Sequence, residues 1–319
     1  MEENVEIRKL MELCERLPEV NQGYIMNLDK GTTTKIIYVY ELLRFNDYLI
    51  EKKNVNEDTI NFGTYSEITY DDIKEYFQVN IEKGNGYSTI QRTRTALNGW
   101  FNHLNDIHVV SGNPVCSGKA LGQLFWEMTG KEPKNSVKKK ASLEVEGFLD
   151  VVENGTGLSD IQKKHHEKYR FRDMAMIALI LDAGIRISEV NALNIEDFDR
   201  NFSQIYVQKR TINLKKETKE KLEQYIDHGR AAPSGHDDKV SPLFVTSDGR
   251  RLAVRSIQRV LKKYSSARSG LQTISAEKLR EISAANFYKE TKDMQELKER
   301  LGVKSMTAIE KYISQGEKE

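Results

Sequence analysis

Residues 129–142, TGKEPKNSVKKKAS, hold five lysines against one glutamate, with a proline and Val137 as the one large apolar side chain. No helix or strand can bury such a stretch, so the chain on either side must build its core separately. This predicts a first domain over residues 1–130, a basic linker over 131–142 and a second domain over 143–319. A chain of 319 residues is long enough for both to hold a core. The simple reading of the linker is a solvated loop. The sharper one is a linker whose Lys138, Lys139 and Lys140 also touch a polyanion.

Before the linker the periodicity is helical. TTKIIYVYELLRFNDYLIEKK has apolar residues at three- and four-residue spacing, as a core-facing helix requires. EITYDDIKEYFQVNI places Thr69, Asp71 and Asp72 where a helix begins, which suits the macrodipole. In YSTIQRTRTALNGWFNHLND, Ile90, Ala96, Leu97, Trp100, Phe101 and Leu104 share one side, with Gln91, Arg92 and Arg94 toward the other. Those arginines are either an ordinary polar face or phosphate contacts. After the linker, SLEVEGFLDVVENG and FRDMAMIALILDAG read as helices, the second apolar enough to be central. QIYVQKRTINLKK reads as a hairpin, and SPLFVTSDGRRLAVRSIQRVLKKYSS as a strand, an Asp-Gly turn and a helix from Val254. Helices over about 277–290 and 293–301 and a last one holding Tyr312 complete a mainly α fold with a small antiparallel β-sheet.

Charge, cysteine and motif content narrow the function classes. The formal net charge is +1, so any basic face must come from local clustering. Cys14 and Cys116 are far apart, without metal-ligand spacing, and fit a reduced compartment. The first residues, MEENVEIRKLMELCERL, contain no apolar signal-like run, and no run approaches a membrane span, so the expected location is cytoplasmic with no membrane partner. No Gly-rich phosphate loop and no His/Cys/Asp cluster is present, so no metal and no cofactor are expected.

Three segments, in order, resemble the tyrosine recombinases, the phage integrase family. LILDAGIRISEVNALNIEDFD, residues 179–199, resembles the first signature, with Gly184, Arg186, Ser188 and Glu189 in matching places. STIQRTRTALNGWFNHLN…GNPV resembles the end of the amino-terminal core-binding domain. LREIS…LKERLGVKSMTAIEKYI resembles the second signature, with Arg280, Gly302 and Tyr312. The resemblance implies a two-domain DNA clamp, a helical core-binding domain followed by an α+β catalytic-type domain. It implies Arg186 and Arg280 on a scissile phosphate, Tyr312 as nucleophile and Lys209, at the hairpin tip with Arg210, as the catalytic lysine. Such a site is chemically sensible. Two guanidiniums spread the charge of a phosphorane-like transition state. A phenol serves as both nucleophile and leaving group, and proton transfers need an acid and a base.

The sequence departs from the family at the proton-transfer positions. Glu277 stands three residues before Arg280, and Val303 follows Gly302, where the family usually has histidine, or at the latter tryptophan. Glu281 follows Arg280, the hairpin is short, and no histidine occurs after His236. A phosphate facing the arginines would also face Glu277. Like charges about 4 Å apart repel by about 1–4 kcal/mol at effective dielectrics of 80 to 20. Losing an acid–base group typically removes about 10²–10⁴ in rate. Glu277 and Arg280, on one helix face, are expected to pair. An alternative is that Glu277 is a plain first-turn acid and Tyr312 a packed amphipathic residue.

The expectation is therefore a sequence-specific DNA-binding regulator on the recombinase fold, phage- or mobile-element-borne, that has lost strand transfer. It is similar in kind to the master repressors of SPβ-like prophages; the signatures themselves define the integrase family, not that group. The alternatives are an active recombinase using Tyr312 and an accessory DNA-bending factor. Expected contacts to double-stranded DNA are Arg92, Arg94, Lys138, Lys139, Lys140, Arg186, Lys209, Arg210, Arg251, Arg255 and Arg280. A protein or peptide-linked regulator is a further possible partner. Only ISQGEKE follows Tyr312, which points to a monomer or a weak dimer on DNA.

Overall fold

The computed structural model describes residues 2–53, 60–132, 142–230, 241–267 and 274–316. Lys138, Lys139 and Lys140 lie outside them. The chain divides into two units, Met1–Val137 and Lys138–Glu319.

In the described residues of the first unit the regular elements are helices: α1 Glu2–Cys14, α2 Glu19–Asn27, α3 Thr32–Lys53, α4 Phe62–Ser66, α5 Tyr70–Glu82, α6 Tyr87–Asp106 and α7 Gly118–Thr129. Helix α5 starts where its acids are, because Thr69 accepts from the Asp72 amide while Asp72 accepts from the Thr69 amide. All six apolar positions expected on α6 are buried. They pack against Phe45 of α3 and Tyr65 and Phe77 of α4 and α5 in one aromatic-rich core.

The second unit contains α8 Ser142–Asn154, α9 Asp160–Ala183, α10 Ile187–Ala192, β1 Phe198–Asp199, β2 Gln204–Val207, β3 Arg210–Asn213, α11 Lys216–Gln224, α12 Val254–Ser265, α13 Ala276–Thr291, α14 Met294–Leu301 and α15 Met306–Gly316. The apolar run of α9 is the centre, with Ala175, Met176, Ile177, Leu179, Ile180 and Ala183 at most 1% exposed. The sheet order is β1-β2-β3, antiparallel throughout. The expected hairpin forms, with β1 added to it. Val207 pairs with Arg210, so the turn is Gln208–Lys209 and Arg210 belongs to the strand rather than to the tip.

The strand expected at 242–245 is a correction. Only isolated bridges form there, Asn194 with Pro242 and Val245 with Arg251. Leu243, Phe244 and Val245 are all buried, so the segment does not alternate as a strand with one wet face would. Its backbone instead bonds to Leu193 and folds back on itself through the Asp248–Gly249 turn. The helices expected around 277–290 and 293–301 and at Tyr312 are α13, α14 and α15, which close a small cluster of Ala284, Leu297, Leu301, Ile309 and Ile313.

Candidate active site

The site grows from the end of α9. Gly184 caps this helix in the left-handed region, at φ +63°. A Cβ there would lie 2.7 Å from Leu301 and 2.9 Å from the Ser283 hydroxyl, so only glycine fits both the turn and the packing. Two residues on, Arg186 is the N-cap of α10, and its amide donates to Glu189 Oε2 at 2.7 Å.

Glu189 is 5% exposed and is the hub. Around its carboxylate stand Arg186 Nη1 at 3.6 Å, Arg280 Nη1 at 3.8 Å and Arg210 Nη2 in direct contact. Three guanidiniums about one carboxylate leave two positive charges over. Burial pulls the Arg210 pKa below the ordinary arginine range; Glu189 opposes this, while Arg280 and Arg186 add to it. Arg210 also donates to the Arg300 carbonyl at 2.7 Å and lies against Gly302. Gly302 caps α14 at φ +59°, and a Cβ there would meet the Arg210 guanidinium carbon at 2.7 Å.

Arg280 is turned inward and is 1% exposed. Its Nη1 donates to the Gly184 carbonyl at 2.5 Å, its Nη2 to the Leu301 carbonyl at 2.6 Å, and its Nε to the Tyr312 hydroxyl at 3.3 Å. The Tyr312 hydroxyl in turn donates to Glu277 Oε1 at 2.8 Å. Burial and the Glu277 carboxylate raise the Tyr312 pKa, against the lowering effect of Arg280. The expected Glu277–Arg280 pair is a correction. The carboxylate beside Arg280 is Glu189, and Glu277 holds Tyr312 instead. Both residues are on α13, but the two terminal nitrogens of Arg280 are drawn to the carbonyls and carboxylate beneath that helix.

A cavity of about 520 Å³ opens beside these groups, lined among others by Arg186, Ser188, Lys262, Ser275, Glu277 and Arg280. Arg186, at 43% side-chain exposure, is the guanidinium of the trio most open to a ligand. Lys209 is exposed at the hairpin turn and lines a neighbouring hollow of about 650 Å³ with Arg210, Lys298, Arg300 and Val303. Val303 is half-buried against the α14–α15 cluster.

Of the other sequence-named cations in the second unit, Arg251 and Arg255 do not line this cavity. Arg251 donates to the Asn191 and Leu193 carbonyls at 2.6 and 2.9 Å and to the Asn194 side chain, closing the end of α10. Arg94 donates to the Cys116 carbonyl at 2.7 Å, and Arg92 to Glu41 at 3.0 Å. Arg255 is exposed on α12, and on the same face stand Gln258, Arg259 and Lys262, which the sequence reading missed. The signal was present: positions 255, 258, 259 and 262 follow the helical repeat. Among the described residues no group of His, Cys, Asp or Glu could hold a metal ion, and no helix is long and apolar enough to cross a membrane.

The chain is similar to known proteins in sequence and in fold. The chain is 25% identical to the tyrosine recombinase XerC of Herpetosiphon aurantiacus over 296 residues, covering 90% of this chain and 87% of the relative. It is also 25% identical to the tyrosine recombinase XerS of Streptococcus thermophilus over 308 residues, covering 88% and 86%. Among solved structures, the Tn1549 transposon integrase in complex with circular intermediate DNA superposes with a TM-score of 0.69 at 17% identity, covering 96% of this chain and 99% of that one. A lambda integrase dimer bound to a COC' core site gives 0.61 at 15% identity, covering 93% and 94%. The model of the phage integrase family matches residues 153–319, just over half the sequence and all of the segment that carries Arg186, Arg280 and Tyr312. The chain belongs to the phage integrase family.

Proposed function

We propose that this protein binds double-stranded DNA in a sequence-specific, regulatory role, of phage or mobile-element kind, and does not transfer strands. The observation that carries the reading is the closure of Arg280. It is 1% exposed, with its Nε on the Tyr312 hydroxyl, and that hydroxyl is held by Glu277. A phosphate in the cavity would meet Arg186 but not a second open guanidinium, and it would meet the Glu277 carboxylate. Transition-state stabilisation by paired guanidiniums is then largely withheld.

Proton transfer is weakened as well. A carboxylate, Glu277, stands on the Tyr312 hydroxyl where the family usually has histidine, and the described site holds no imidazole to take the phenolic proton. The DNA-bound states named for the integrases of Tn1549 and lambda support duplex DNA as the ligand.

A second reading is an active recombinase in which Glu277 takes the Tyr312 proton. The 2.8 Å hydrogen bond between them favours it. One experiment decides. The binding site is found by genome-wide footprinting, and the protein is incubated with that site carrying a nick. Regulation without transfer gives a shifted complex and no covalent 3′-phosphotyrosyl adduct. An adduct that disappears in Tyr312→Phe establishes the recombinase.

A further inference from the structure

The first unit holds a second buried carboxylate flanked by arginines, and no part of the site above uses it. Glu41, on α3, is 1% exposed. Its Oε1 accepts from Arg44 Nη1 at 3.1 Å and from Arg92 Nε, on α6, at 3.0 Å. Its Oε2 accepts from the Thr93 hydroxyl at 2.7 Å. The carboxylate is therefore satisfied, and one positive charge remains over. Both guanidiniums stay open to solvent, with side chains 55% and 47% exposed.

The geometry favours a shared ligand. Both bonds end on one oxygen, so the donor nitrogens can be separated by no more than the two bond lengths together, about 6 Å. Each guanidinium uses one N–H position on Glu41, and its remaining donors are available to a ligand. A guanidinium fork matches a phosphate, and holding it beforehand removes much of the entropy of ordering a long side chain. The second unit contains the same device, a buried Glu189 carrying a half-exposed Arg186. Asp47, one turn along α3 from Arg44, makes no ion pair among the described residues. We infer that Arg44 and Arg92 grip one backbone phosphate of duplex DNA, with Glu41 as the residue that positions them. The inference rests on the DNA-binding reading and adds to it a defined contact in the first unit.

The test measures affinity for duplexes of several sequences across a salt series, with thermal melting of each variant as a folding check. Arg44→Ala weakens binding to every duplex by about 10-fold or more, because a phosphate contact carries no base information. It also lowers the slope of log affinity against log salt by about 0.9. Arg44→Lys, which keeps the charge but loses the fork, restores the slope and only part of the affinity.

Glu41→Gln separates positioning from charge. Removing a buried negative charge would tighten binding if only net charge mattered; positioning predicts weaker binding. Should Glu41→Gln fail to fold, the half-exposed Arg44 variants carry the test. Wild-type protein that binds duplexes while Arg44→Ala binds equally well overturns this inference and leaves the DNA-binding reading standing. Tighter binding by a folded Glu41→Gln overturns the positioning role. Wild-type protein that binds no duplex at all overturns both.

Discussion

Replacing Glu189 with glutamine should destabilise the second unit and leave the first untouched. The substitution keeps the shape and an acceptor oxygen, so the Arg186 amide can still be bonded. What it removes is the one negative charge among three guanidiniums. Arg280 Nη1 stands 3.8 Å from the carboxylate, an attraction of about 4 kcal/mol at an effective dielectric of 20. Arg210 is closer still, with its side chain 15% exposed, whereas Arg186 at 43% is strongly screened. Against these attractions stands the desolvation of a 5% exposed carboxylate, which glutamine avoids. Removing one partner from a buried ionic cluster leaves a net loss of about 3–5 kcal/mol. The protein contains a built-in control, because its two tryptophans, Trp100 and Trp126, both belong to the first unit. Urea unfolding followed by tryptophan fluorescence reports that unit, and far-UV circular dichroism reports both. Glu189→Gln should split the dichroism transition, with an early phase from the second unit and an unmoved fluorescence midpoint. Coincident, unshifted transitions would refute the hub assignment, and a fluorescence midpoint that moves as far as the dichroism would show that the effect is not local.

Three further outcomes follow from the same geometry. Gly302→Ala forces a side chain into φ +59° and against the Arg210 guanidinium, and should lower the stability of the second unit by about 1–3 kcal/mol in the same dichroism assay. His166, whose ring contacts the Tyr264 hydroxyl at 3.2 Å, has its pKa lowered by burial first and by Lys263 next. The folded state therefore binds fewer protons than the unfolded one, so stability is kept above the unfolded value of about 6.5 and lost as pH falls through it. The melting temperature of the second unit should drop between pH 7.5 and 5.5, and His166→Gln should flatten that drop. Converting Arg255, Arg259 and Lys262 together to alanine should flatten the salt dependence of DNA affinity, by up to about 0.9 for each phosphate that these side chains neutralise; an unchanged slope would make that helix face merely solvated.

What the sequence revealed and what it hid follow from the range of the interactions. Local rules were enough for α5, whose Thr69 and Asp72 cap each other, for α6, whose apolar stripe is the buried one, and for the Gln204–Asn213 hairpin. Helices α2 and α11 have few apolar positions to reveal them, whereas α7 carries a regular stripe of Leu121, Leu124, Phe125 and Met128 that local rules could have found. The motif residues Gly184, Arg186, Gly302 and Tyr312 were identifiable, but their partners were not. Arg210 meets the Arg300 carbonyl 90 residues away, and Arg280 meets the Gly184 carbonyl at a separation of 96. Reading Glu277 as the partner of Arg280 rested on helical spacing alone. Spacing fixes which side chains can share a face, but not which of them turns inward, and the carbonyls at the ends of α9 and α14 decide that for Arg280.

A chain with 49 basic and 48 acidic residues can still present a positive surface if its acids are placed behind its arginines rather than beside them. Glu189 and Glu41 are both buried, and each is met by more guanidiniums than it can neutralise. A buried carboxylate is poorly screened, so it holds an arginine firmly. Arg186, Arg44 and Arg92 keep an outward side in water, whereas Arg280 and Arg210 are turned inward. Charge is thus converted from a bulk property into a few fixed contacts, which suits recognition of a regularly spaced phosphate backbone better than a diffuse excess of lysine. Glu277 is the exception that tests this logic. It is exposed, lines the same cavity as Arg186, and makes no ion pair with an arginine among the described residues; its partner is the Tyr312 hydroxyl, which Arg280 Nε also meets. A carboxylate so placed works against phosphate binding and keeps the Tyr312 hydroxyl bonded within the protein. On the reading proposed above, the same residue weakens the grip on a phosphate in this cavity, and DNA affinity then comes mainly from arginines elsewhere.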